Sequence, residues 1–334
     1  LKALKNQGKT IIFISHKLKE IFNICDRVTV MRDGKLIATH NVEDIDVQQI
    51  SNEMVGREVH FEVMHPATEP GEAVLNVRHL AFIDDFGIVK LKNVSFSLRK
   101  NEILGVVGVD GNGQTELVEI LTGMGKALAG SVIAHGVEIT NKGPYTVRRN
   151  RIAHIAEDRI TIGTALSASI EQNLLADRYW QRQFSTKLGF LRSKEMTQHA
   201  AMLVHEYDIR CNSTQQPVGS LSGGNMQKVV IAREFSAQAS ILIVSQPTRG
   251  VDIGAIEYIH LKIMEMQSAG KAILLVSSDL QEVMALSDAL IVMHQGEIVA
   301  YFPDATTVTD KELGLYMLGL KRQSEYEIRQ VFNE

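Results

Sequence analysis

The sequence predicts an α/β fold built on a mainly parallel sheet, and three observations lead there. Short apolar segments alternate with helical patterns over most of the chain: Ile103–Val107, Leu117–Leu121, Ile152–Ile155, Ser193–Glu206, Ile241–Val244 and Ile273–Val276. Alternation of this kind packs helices onto both faces of a parallel sheet. At 334 residues the chain is longer than one average domain. A segment near its start also recurs near its end.

Taken in order, the chain opens at Leu1, without Met, in what reads as a helix running into a strand. This start suggests a fragment. Gly8–Ala38 reads GKTIIFISHKLKEIFNICDRVTVMRDGKLIA, and Gly270–Ala300 reads GKAILLVSSDLQEVMALSDALIVMHQGEIVA. The two align without a gap, with identities at Gly8/Gly270, Ser15/Ser277, Glu20/Glu282, Asp26/Asp288, Met31/Met293 and Gly34/Gly296. Each copy reads as strand, polar turn, amphipathic helix, strand and tight turn. The simplest account is two tandem copies with most of the first missing. Residues 1–60 are then the end of the first copy, and 61–72, with Pro66 and Pro70, a linker. The second copy runs over 73–320, and 321–334 form a polar tail.

The composition excludes several classes. The net charge of −4 argues against a chain built to neutralise phosphate backbones. With 45% hydrophobic and 22% charged residues the chain is globular rather than disordered. Cys25 and Cys211 are too few for a disulfide framework or a four-cysteine zinc site, which suits a reduced, cytosolic setting. The apolar runs fall far short of the ~18 residues of a membrane span.

Four segments carry chemistry. The strand ILGVVG leads into Gly108, Val109, Asp110, Gly111, Asn112, Gly113, Gln114 and Thr115, and a helical pattern follows. This is the GxxxxGK[ST] phosphate-loop spacing with Gln in place of Lys. Glycines turn backbone N–H groups toward phosphate oxygens, the helix start adds its dipole, and Thr115 is placed to reach a magnesium ion. The missing ammonium would have neutralised β- and γ-phosphate charge. Leu221–Lys228, LSGGNMQK, precedes another helix; Ser222 can cap it while Gly223 and Gly224 expose N–H groups, so the segment reads either as an anion site or as an ordinary cap. ILIVSQPTRGVD follows at Ile241–Asp252. Phosphate-loop enzymes end this strand in Asp-Glu, to orient magnesium and position water; here Ser245 and Gln246 stand there, and neither is a general base. The repeat shows a third loss: His16, suited to bond a γ-phosphate and attacking water, aligns with Ser278.

Together these motifs resemble the ATP-binding cassette (ABC) family over nearly the whole chain: phosphate loop, LSGG signature, QPT strand end and SSD switch, in that order. The pattern is most similar to the fused, two-cassette ATPases of bacterial sugar- and nucleoside-type importers. GVDGNGQTELVE and QPTRGVDIGAIEYIH look most like the nucleoside, guanosine-type purine, branch. The resemblance implies a phosphate-loop cassette with an antiparallel β subdomain and a helical signature subdomain, using ATP and Mg2+. Nucleotide contacts fall to Gly108, Asp110, Gly111, Asn112, Gly113, Gln114, Thr115, Glu116, Ser222, Gly223, Gly224 and Gln227, with Thr115 on the metal. His16 is the catalytic residue, and Ser245, Gln246 and Ser278 are degenerate catalytic positions. Glu116 departs from the usual Ser/Thr and should weaken α-phosphate contact. Two cassettes would pair head to tail within the full-length chain, giving one intact composite site and one degenerate site. Glu157, Asp158 and Arg159, otherwise a solvated turn, would touch integral membrane permease subunits, and through them a substrate-binding lipoprotein. Phe82 and Phe86, before the cassette's first strand, are either core or a platform for adenine. The implied role is energy coupling at the cytoplasmic face of the membrane, as a peripheral subunit, without nucleic acid. Other readings are a non-catalytic nucleotide-binding regulatory module and a soluble cassette acting on DNA or ribosomes; the absence of a basic or coiled-coil insertion speaks against the latter.

Overall fold

A computed structural model describes residues 1–15, 17–32, 34–59 and 69–330, with Lys19 described by its backbone alone. His16, most of the expected linker and the last four residues of the tail lie outside the described residues. The chain divides into two compact units, Leu1–Glu62 with Gly250–Tyr258, and Val63–Arg249 with Ile259–Glu334.

In the smaller unit α1 (Lys2–Asn6) and α2 (Leu18–Ile24) precede the hairpin β1 (Arg27–Arg32) and β2 (Lys35–Asn41), then α3 (Val47–Val55). Asp46 caps α3 by accepting the Gln49 N–H at 2.7 Å. Leu18, Ile21, Val28, Val30 and Ile50 form a small core with Ile253. Ile12 and Ile14 are 92% and 94% exposed, and the residues around them form no strand. Their repeat counterparts, Leu274 and Val276, are buried in a strand with a neighbour on each side. An apolar strand needs such neighbours to satisfy its N–H and C=O groups.

The larger unit begins with an antiparallel layer, β3 (Ala73–Ile83), β4 (Val89–Arg99), β6 (Ala129–Ala134) and β7 (Val137–Glu138), in the order β4-β3-β6-β7. Phe82 lies inside β3, not before it, and packs on the core; Phe86, in the turn to β4, is 90% exposed. The main sheet comprises β5 (Ile103–Val107), β8 (Ile152–Ile155), β9 (Ile241–Ser245), β10 (Ala272–Val276), β11 (Ala289–His294) and β12 (Glu297–Phe302). Its order is β12-β11-β5-β10-β9-β8, parallel except for β12. The middle strands β5, β9 and β10 are buried at every residue, which is why they read as unbroken apolar runs rather than alternating ones.

Helix α4 (Gln114–Thr122) follows β5, and α5 (Pro144–Arg149) leads to β8. A helical segment follows: α6 (Ile170–Leu175), closed by a Ser169/Gln172 capping box, α7 (Ser193–Glu206) and α8 (Gly223–Phe235). Helices α9 (Ile253–Ser268), α10 (Leu280–Leu286) and α11 (Asp310–Met317) complete the fold. The α10–β11–β12 segment reproduces α2–β1–β2, apart from one further residue at the end of β2. Both hairpins shift register at the same step, Val292/Met293 and Val30/Met31. The tail is polar in composition yet folds back. Gln323 exchanges bonds with Val299 and Tyr301 at 3.0 and 2.7 Å, and Ile328 of α12 (Glu325–Arg329) packs on the core.

Helix α8 is fixed by a buried carboxylate. Glu234 accepts from Arg148 at 2.9 Å, from Arg233 at 2.7 Å and from the His154 N–H at 3.3 Å. Burial alone would push the Glu234 carboxyl up, but Arg233 and Arg148 hold it down to about 2. Burial lowers His154 to about 4. The unfolded chain takes up a proton that native His154 refuses, so urea stability should fall as pH drops from 6.5 toward about 4. His154→Gln should flatten that limb. Glu234 contributes stability above 4.5 that is lost only as pH falls toward about 2. Glu234→Ala, which strips two guanidinium groups of a buried partner, should cost about 3–5 kcal/mol in urea unfolding.

Candidate functional site

Parallel pairing sets the ends of three strands at one level. Val276 lies opposite Ser245 in β9 and Val106 in β5. The ends and the segments leaving them line a cleft of about 190 Å³: Gly108, Asp110, Gly111, Gln114 and Thr115 after β5, Ser245 at the end of β9 with Gln246 and Arg249 beyond it, and Ser277 and Ser278 after β10. Glu157, two residues past β8, closes the wall. Sites of open α/β sheets lie at this carboxyl edge.

The loop after β5 is held from behind. Asn112 lies outside the cleft lining; its side-chain oxygen accepts the Gln295 N–H at 2.8 Å, and its carbonyl accepts the Gly296 N–H at 3.1 Å. Gly113 caps α4 with φ +103°, and a Cβ there would stand 2.5 Å from the Lys90 carbonyl oxygen. Gly111, at φ +88°, has open space around it. The Gln114 amide folds against Gly108 and donates weakly to the Val109 carbonyl at 3.4 Å. Glu116 turns away from the cleft toward Lys90, 3.9 Å off, and its second oxygen is buried without a hydrogen bond. Burial, with Glu116 nearby, pushes the Glu119 carboxyl up.

Two positions expected to have lost catalytic groups bond to each other. The Gln246 side-chain oxygen accepts the Ser278 hydroxyl at 3.1 Å and the Ser278 N–H at 3.2 Å. Gln246 has φ +47°, and its own N–H donates to the Val276 carbonyl at 2.7 Å. Ser245 is buried. Among the described residues no group of three or more His, Cys, Asp or Glu could hold a metal ion. The oxygen donors in the cleft include the Asp110 and Glu157 carboxylates and the Thr115 and Ser245 hydroxyls, types that magnesium accepts.

Ser222, Gly223 and Gly224 are not among the cleft's lining residues; Ser222 caps α8 and accepts from the Asn225 side chain at 2.9 Å. Gln227, expected at the nucleotide, is buried, and its amide donates to the Pro247 carbonyl at 2.9 Å. It ties α8 to the end of β9 instead of facing a ligand. Glu157, Asp158 and Arg159 make a bonded turn rather than a merely solvated one. Glu157 pairs with Arg249, and Arg159 donates to the Arg249 carbonyl. The Thr161 hydroxyl and the N–H groups of Thr161 and Ile160 hold the Asp158 carboxyl below its usual range. Sequence reasoning missed Arg249, although it is the one charge within SQPTRG and that was a usable signal. It also missed Ile160 and Ile162, exposed on the turn beyond Arg159.

A Gly-rich loop opening a helix at the carboxyl edge of a mostly parallel sheet, beside an antiparallel layer and a helical segment, defines a phosphate-loop ATPase cassette. Residues 91–249 match the family model described as ABC transporter. The chain is 41% identical over 319 residues to the nucleoside import ATP-binding protein NupA of Lactococcus lactis subsp. cremoris, covering 96% of this chain and 63% of that one. It is 43% identical to the guanosine import ATP-binding protein NupO of Bacillus subtilis, covering 96% and 62%. It is 39% identical to the glucose import ATP-binding protein TsgD13 of Haloferax volcanii, covering 96% and 58%. The fold also matches an ATP-binding cassette of an ABC transporter in its ADP conformation, with TM-score 0.58 and 20% identity over 78% of this chain and 98% of that one. A nucleotide-free cassette matches with TM-score 0.58 and 20% identity over 79% and 100%. The chain therefore has the fold of an ABC transporter ATPase cassette, and residues 91–249 match that family's model. It spans 58 to 63% of the length of these import proteins.

The loop geometry separates two glycines. Gly113→Ala should destabilise by several kcal/mol and abolish nucleotide binding, since neither its φ nor the Lys90 carbonyl tolerates a Cβ. Gly111→Ala should cost only about 1 kcal/mol, the left-handed penalty alone. Urea denaturation and a fluorescent ATP analogue would read both.

Proposed function

We propose that this chain is part of the ATP-binding, energy-coupling subunit of a bacterial ABC importer for nucleosides or simple sugars, and that its own phosphate cleft binds nucleotide with little turnover. The observation that carries the reading is the Gln246–Ser278 bond. A carboxylate base and a histidine switch would be needed at these places for water activation. The pair here is neutral, mutually satisfied and without proton affinity near neutral pH. Gln114 adds a neutral amide donor where an ammonium would stabilise transferred charge. The backbone N–H groups of the loop and the start of α4 remain able to hold phosphates. Thr115 and Ser245 would hold Mg2+, whose contribution is to neutralise phosphate charge.

In the full-length protein two cassettes would face head to tail. The signature at Ser222, Gly223 and Gly224, clear of this chain's own cleft lining, would then complete the other cassette's site together with His16. Residues 1–60 would be the remnant of that first cassette, 61–72 the linker, 73–320 the second cassette and 321–334 its tail. Glu157, Asp158 and Arg159 would meet permease subunits at the cytoplasmic face of the membrane, with Ile160 and Ile162 offering apolar contact beside them, and a substrate-binding lipoprotein would deliver the substrate. No described helix is long and apolar enough to cross a membrane. Similarity to the nucleoside and guanosine import proteins NupA and NupO favours nucleosides over the glucose of TsgD13. A regulatory module without catalysis is the second reading, favoured by the same neutral pair.

The chain should bind a fluorescent ATP analogue while releasing phosphate no faster than background. Turnover by the chain alone would end the degenerate-site reading. In the full-length protein Gln246→Glu should leave the second site slow, because Gln114 and Ser278 remain; two equally active sites would count against the proposal.

A further inference from the structure

We propose that Arg249 supplies the positive charge the phosphate loop lacks, binding the terminal phosphate of a nucleoside triphosphate in exchange for Glu157. The inference rests on the cleft being a nucleotide site. The charged side chains on its wall are Asp110, Glu157 and Arg249, two carboxylates against one guanidinium. A cleft of that balance repels a triphosphate unless its cation is turned to the ligand. Gln114, on the same wall, cannot serve, being neutral.

Arg249 is built for the exchange. Its N–H donates to the Gln246 carbonyl at 3.1 Å, and its carbonyl accepts from Arg159 at 2.5 Å, so the main chain is anchored beside the cleft. Its side chain is 64% exposed and paired with Glu157, itself partly exposed. Exposed pairs of this kind contribute little to stability. A phosphate carries more charge than a carboxylate and matches the planar guanidinium fork with two parallel bonds. Exchange is therefore favourable, while the Arg159 bond to the Arg249 carbonyl keeps the two segments joined. Arg249 donates its N–H to the Gln246 carbonyl and Gln246 bonds Ser278, the two positions where a base and a switch would face the phosphate being transferred, so its contact is with the last phosphate rather than the first. Release of Glu157 then reports that phosphate to the turn carrying Asp158 and Arg159.

The test measures binding of fluorescent ATP and ADP analogues to this chain. Arg249→Ala should weaken ATP by about 10- to 100-fold, as for loss of a charge-assisted bond, and ADP much less. Arg249→Lys should recover part of the loss. Glu157→Gln, which removes the competing carboxylate, should tighten ATP by about two- to fivefold. The urea midpoint of Arg249→Ala should match the parent, since the side chain is exposed. If the parent binds ATP and Arg249→Ala binds it equally well, or loses ATP and ADP alike, the inference fails. If the parent binds neither nucleotide, the nucleotide reading of the cleft itself fails, and this inference with it.

Discussion

The site depends on the register in which β10 lies between β5 and β9. Three strands buried on both faces have no freedom to slip, because a one-residue shift would move the whole polar edge against the apolar interior. Val276 is opposite Val106 on one side and Ser245 on the other, so the loop at Gly108–Thr115, the turn at Gln246 and the serines at 277 and 278 emerge at one height. Every contact of the cleft follows: the Gln246–Ser278 bond, the Gln246 N–H to Val276, and the opposition of the loop to both. Hydrophobic burial of the middle strands thus places polar groups that contribute little to stability themselves.

Helix α8 is joined to this edge at two levels. Gln227 bonds the Pro247 carbonyl just past β9, and Glu234 collects Arg148, Arg233 and the His154 N–H further along. Both groups are buried, where a hydrogen bond is strengthened and its loss is costly. The first turn, capped by Ser222, is tied through Asn225, whose side-chain oxygen accepts the Arg210 N–H at 2.8 Å. Gln227 thus joins the helix to the end of β9. The turn at Glu157–Gly163 is tied to the same place through Arg249. Two surfaces flanking the cleft therefore share one mechanical reference.

Gln246 and the turn at Asp158 are satisfied within the protein. Gln246 keeps a left-handed backbone, uncommon for its residue type, and its side chain bonds across to Ser278. Asp158 is satisfied by the N–H groups and hydroxyl of its own turn. Glu157 and Arg249 are the exception, a pair exposed enough for water to compete with it.

Sequence by itself determined the fold class, the internal repeat and the order of motifs. These depend on local period, glycine placement and residue identity, which are written along the chain. The continuous apolar runs at 103–107, 241–244 and 273–276 could only be strands covered on both sides, and the hairpins of the repeat share one register because their residues pair the same way. The same apolar run at Ile12 and Ile14 forms no strand, because pairing requires neighbours that local sequence cannot supply. Tertiary structure alone decided that Phe82 belongs to the core and Phe86 to the surface, that Gln227 holds a carbonyl, that Glu116 turns toward Lys90, and that Arg249 stands in the cleft. Each outcome turns on where a side chain points once strands far apart in the chain are aligned, and no local pattern encodes that direction.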